Sequence, residues 1–122
     1  MRILAIETSC DETAVAVLEA VRRTPYAEFT ILSSQISSQV KIHRPFGGVV
    51  PNLAKREHIK NLPILLKWVS VEAKLPLGSL ASKLDAIAVT NGPGLEPALW
   101  TGINFAENLA REYKLPLIPV NH

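Results

Sequence analysis

Two short stretches carry the side chains that could do chemistry. The first is Glu7-Thr8-Ser9-Cys10-Asp11-Glu12-Thr13, with adjacent carboxylates at Asp11 and Glu12 and hydroxyls at Thr8, Ser9 and Thr13. Such a cluster can form a polar platform for phosphate or place carboxylates around a metal. Ser and Asp are also ordinary turn residues, so both readings stay open. The second stretch is Asn91-Gly92-Pro93-Gly94-Leu95. Gly92 and Gly94 would let backbone come close to a ligand. A helix start behind them would offer free N–H groups and partial positive charge to a phosphate or carboxylate. Taken alone, a short glycine motif implies no more than a sharp strand-to-helix turn.

The remaining reactive side chains are weaker candidates. Cys10 has no recognisable base beside it and reads as a structural or incidental thiol. His43 and His58 read as surface or packing residues. His122 follows a strand on what should be the ligand-facing edge, but one imidazole is not a metal site. Lys41, Arg44, Lys55, Arg56 and Lys60 could touch an RNA backbone, although a solvated helix face explains them as well.

The elements that must position these residues follow from periodicity. Arg2–Thr8 is an apolar run that predicts a buried strand, Thr13–Ala20 a second and Glu28–Ser37 a third, joined by short turns into an antiparallel meander. Residues 41–52, with two prolines and Gly47-Gly48, predict a loop. Leu53–Leu75 has helical spacing with Leu62, Leu65, Leu66, Val69 and Ala73 on one face, and Pro63 inside it predicts a kink or two helices. Leu84–Thr90 is a fourth strand. A helix follows over Pro97–Tyr113, with Leu99, Ile103, Ala106, Ala110 and Tyr113 on its apolar face, and Leu115–Val120 is the last strand.

The order β-β-β-α-β-α-β predicts an α/β fold with a mixed five-stranded sheet. This is the ribonuclease-H-like layout, which is also the repeating half of the actin-like ATPase (ASKHA) folds. In it the two chemical turns share one end of the sheet, near its switch point, where open α/β sheets bind ligands.

Bulk composition narrows the function classes. The 122 residues are one domain's worth, without an internal repeat, and 48% hydrophobic character supports a real core. A net charge of +2, with basic and acidic residues interspersed, gives no dedicated polyanion stripe. A single cysteine excludes an intrachain disulfide. No run reaches the roughly 18 apolar residues of a membrane span. The expected location is the cytoplasm, with no membrane partner.

Three longer stretches, in this order and spacing, carry a resemblance. They are ILAIETSCDETAVAV, SSQISSQVKIHRPFGGVVPNLAKREHIKNLP and DAIAVTNGPGLEPALWTGINFAENLA, with PLIPVNH at the end. Together they resemble the TsaD family of tRNA threonylcarbamoyladenosine synthases, within the actin-like ATPase superfamily, over nearly the whole chain. The resemblance implies transfer of a threonylcarbamoyl group from threonylcarbamoyl-AMP to N6 of the adenosine beside the anticodon in tRNA. It also implies one divalent metal (iron or zinc), a TsaB-like paralogue and a TsaE-like ATPase as partners. Asp11 and Glu12 would be catalytic carboxylates near the metal. Thr8, Ser9, Asn91, Gly92 and Gly94 would bind substrate. Asn121 and His122 match the start of the family's histidine motif, so His122 would be a metal ligand. On this reading residues 1–122 are the N-terminal actin-like ATPase domain, cut within the metal motif, and inactive alone.

Two other readings compete. A non-catalytic TsaB-like scaffold would share the opening strands but lack the metal histidines. A sugar or acetate kinase of the same superfamily would carry a glycine in the first hairpin, where IETSCDET has none.

Overall fold

The computed structural model describes all residues, 1–122. Strands β1 (Arg2–Glu7), β2 (Glu12–Arg23) and β3 (Tyr26–Ser38) form the meander. Helix α1 (Val40–His43), a 3-10 turn at Arg44–Phe46 and helix α2 (Pro51–Glu72) follow. Next come a 3-10 turn at Leu77–Ser79, helix α3 (Leu80–Lys83), strand β4 (Ala86–Gly92), helix α4 (Glu96–Tyr113) and strand β5 (Leu117–Asn121). The sheet order is β3-β2-β1-β4-β5. β1 pairs antiparallel with β2 and parallel with β4, and β4 pairs parallel with β5. The expected mixed sheet is therefore present. Its switch point lies between β1 and β4, from which the chain leaves in opposite directions.

Alternation along the strands explains the core. Leu4 and Ile6 of β1, Val15 and Val17 of β2, and Ile87 and Val89 of β4 face α2 and α4. Leu62, Leu65, Leu66 and Val69 of α2 and Ala106, Leu109 and Ala110 of α4 close over them. Every one of these residues is buried, so the predicted apolar faces are the ones that pack.

Three expectations need correction. α2 is a single helix running through Pro63, not two. Pro63 and Ile59, four residues before it, are both exposed, so the carbonyl that proline leaves unpaired lies on the solvent side of the helix. The stretch read as a loop after β3 contains α1 and a 3-10 turn. β4 extends through Asn91 and Gly92, which leaves a turn shorter than expected. No helix is long and apolar enough to cross a membrane.

Candidate functional site

β1, β4 and β5 all end on the same side of the sheet, and the candidate residues follow from those ends. A cavity of about 190 Å³ there is lined by Glu7, Ser9, Cys10, Asp11, Glu12 and His122. The sheet topology thus brings together residues 115 positions apart in sequence. Asp11 is half-buried at the cavity edge and Glu12 is exposed.

The turn between β1 and β2 is held from four sides. The Ser9 N–H donates to Glu7 Oε1. The Ser9 carbonyl accepts from Leu95 N at 2.7 Å, which locks the first turn to the Gly-Pro-Gly turn. The Cys10 carbonyl accepts from His58 Nε2 at 2.8 Å, and the Asp11 carbonyl accepts from Gln39 N at 2.9 Å. Each bond fixes backbone and leaves the Asp11 and Glu12 carboxylates free of protein partners.

Several predicted roles change in this light. Thr8 is fully buried and its hydroxyl donates to Ala98 O at 2.7 Å, so it is not open to a ligand. Ser9's N–H is spent on Glu7, so the turn does not present it to a phosphate. A Cβ on Gly94 would lie 2.6 Å from the Ser9 carbonyl oxygen, so this glycine serves the contact between the two turns. Gly92 has φ +153°, a conformation suited to glycine, and its carbonyl accepts from His122 N at 2.5 Å. Asn91 is exposed at the end of β4 and does not line the cavity. The start of α4 carries Glu96 in its first turn, so the positive end of that helix faces a carboxylate of its own chain.

Glu7 was missed by sequence reasoning because it closes an apolar strand. Its Oε2 accepts from Thr90 Oγ1 at 2.9 Å and lies 3.4 Å from His122 Nε2. A carboxylate ending a buried run, directly before two hydroxyl residues, was the available signal. His43 and His58, read as surface or packing residues, are both buried and hydrogen-bonded. Burial holds the His58 imidazole below its ordinary pKa, against the opposing effects of its bond to Cys10 and the charges of Glu7 and Asp11. Partial burial first, then the Asp11 charge, raises the pKa of the exposed Cys10 thiol above its ordinary value. The five basic residues between Lys41 and Lys60 are all exposed.

The cavity is acidic, with three carboxylates and one imidazole. An anionic phosphate would need a compensating cation there. No group of three His, Cys, Asp or Glu stands close enough to hold a metal. An iron or zinc site takes about three protein ligands, so these residues do not by themselves make one. They offer one imidazole backed by a carboxylate, which is a partial donor set.

Comparison with known proteins bears on what this geometry serves. The family model for tRNA N6-adenosine threonylcarbamoyltransferase, TsaD, matches residues 30–122. The chain belongs to the TsaD family. A TsaD protein of Thermosipho melanesiensis is 49% identical over 122 residues, all of this chain and 34% of that protein. One from Fervidobacterium nodosum is 45% identical over the same span, 33% of its length. The chain thus spans about a third of the TsaD relatives it matches. Among solved structures, YeaZ from Pseudomonas aeruginosa aligns with a TM-score of 0.64 and 21% identity, covering 99% of this chain and 45% of that one. Thermus thermophilus RuvC aligns at 0.61 and 11% identity, covering 99% and 64%. These two likenesses establish the ribonuclease-H-like fold.

Proposed function

We propose that these residues form the first domain of a transferase that moves a threonylcarbamoyl group from threonylcarbamoyl-AMP to N6 of the adenosine beside the anticodon in tRNA. The observation that carries the reading is the family match, which runs through β5 (Leu117–Asn121) to His122. The transferase names of the relatives favour it over the scaffold reading.

Asp11 and Glu12 are the groups we assign to chemistry. Their backbone is held while their carboxylates remain free, as a group needs that must meet substrate in one orientation. The N6 amine attacks the threonylcarbamoyl carbonyl, AMP departs, and the amine loses a proton. One of the two carboxylates accepts that proton as a general base. The proposal extends to one divalent ion, iron or zinc, with His122 among its ligands. The donors here do not complete that site, so no step is assigned to the ion. Partners on this reading are tRNA, a TsaB-like paralogue and a TsaE-like ATPase, with the cytoplasm as the location.

The test is direct. Full-length protein, tRNA and threonylcarbamoyl-AMP are incubated with the partner proteins, and the tRNA is digested for nucleoside mass analysis. Threonylcarbamoyladenosine is expected, and unmodified adenosine throughout would sink the reading. Residues 1–122 alone are expected to give no product, because they supply one side of a cleft and too few metal donors.

A further inference from the structure

Behind the Cys10–Glu12 turn lies a buried polar network that no role above requires. His58 is fully buried on the inward face of α2. Its Nε2 stands 2.8 Å from the Cys10 carbonyl, which can only accept, so Nε2 carries the proton. Nδ1 is then the acceptor, and Thr13 Oγ1 donates to it at 2.7 Å. Gln39 approaches the same nitrogen at 3.5 Å, while its Oε1 accepts from His43 Nε2 at 2.7 Å. His43 Nδ1 in turn accepts from the Val50 N–H at 3.0 Å, just before α2.

Burying an imidazole costs free energy that a leucine at the same position would not incur. The return on that cost is directional. His58 bonds residues on both sides of the carboxylate pair, Cys10 before it and Thr13 after it, from a helix that is itself fixed in the core. Gln39 holds Asp11, the first of the two residues between them, through its own N–H. A packing residue would have no reason to span the turn in this way.

We propose that His58 is a positioning residue for the reaction, clamping both ends of the Cys10–Thr13 segment so that Asp11 and Glu12 enter the cavity at a fixed angle. The catalytic part rests on the transferase reading, whereas the clamp itself does not.

The test compares wild-type full-length protein with His58→Leu, His58→Gln and Thr13→Val. Glutamine can keep one donor and one acceptor, and leucine keeps neither. The first readout is amide hydrogen exchange at Gln39, whose N–H bonds Asp11, against Ile87, whose N–H bonds Pro116 in the core sheet. In His58→Leu, Gln39 should exchange about tenfold faster, the worth of one buried hydrogen bond, with Ile87 little changed. Equal acceleration at both sites would show general destabilisation and overturn the clamp. The second readout is transfer kinetics. His58→Leu should lower kcat about tenfold with KM for tRNA nearly constant, and His58→Gln should restore most of it. An unchanged kcat in His58→Leu, or equal loss in both variants, would overturn the positioning role. If His58→Leu does not fold, Thr13→Val replaces it, with the same directions expected at both readouts. Absence of transfer by wild type would defeat the transferase reading, while the exchange comparison would still decide the clamp.

Discussion

The two ends of the sheet are built on different terms. At the end where β1, β4 and β5 stop, three successive carbonyls, Ser9, Cys10 and Asp11, are each taken by a donor from a different part of the chain. At the other end the β2–β3 hairpin runs past the last rung of β1, the Arg2–Glu19 pair. That overhang exposes Val21, Tyr26 and Phe29, and its one ion pair, Arg23–Glu28 at 3.0 Å, lies in solvent. The ladder with β3 holds it, together with the two bonds that Ala20 exchanges with Met1 at its base. The contrast teaches that buried polar groups are concentrated where backbone direction matters for a site. The ribbon tolerates plain strand pairing.

Substitutions should respect that contrast. Gly94→Ala would push a Cβ against the Ser9 carbonyl and separate the two turns, costing about 1–3 kcal/mol in denaturant unfolding of the full-length protein. Thr8→Val keeps the shape of the side chain and removes its bond to Ala98, so about 1 kcal/mol is expected by the same measurement. Acid sharpens the difference. His58 titrates lower in the native state than its ordinary value of about 6.5, so the unfolded chain takes up the proton first. Its contribution to stability is full above that value and is lost as pH falls toward the native pKa. Unfolding scans from pH 8 downward should show this loss in wild type, and the His58→Gln variant should lack that component. On the overhanging hairpin, Tyr26→Ser and Arg23→Ala should each shift stability by less than about 0.5 kcal/mol, because neither removes buried contacts.

Much of the fold was legible in the sequence because period-two and helical spacing report burial directly. Leu4, Ile6, Val15 and Val17 alternate as strand residues should, and Leu62, Leu65, Leu66 and Val69 mark one helix face. Pro63 misled because local propensity carries no information on which side of the helix faces water. The site was legible only in outline. Asp11, Glu12, Ser9 and His122 line one cavity, as the strand order implied. Thr8 and Gly92 carry the right chemistry for a ligand, but their oxygens are bonded within the chain, and Gly94 lies too close to the Ser9 carbonyl for any side chain, contacts that are distant in sequence. Glu7, Gln39 and His58 were hidden for the same reason, since a hydrogen bond across 48 positions leaves no local pattern.

On the proposed transferase reading, the clamped turn delivers Asp11 and Glu12 to the reacting amine. The most direct measurement is the single-turnover rate of threonylcarbamoyl transfer by full-length protein carrying Asp11→Asn or Glu12→Gln, with the Gln39 amide exchange monitored as a check on the turn. A rate loss of about 100-fold or more is expected in at least one variant, with Gln39 exchange at its wild-type value. Wild-type rates in both variants would contradict it.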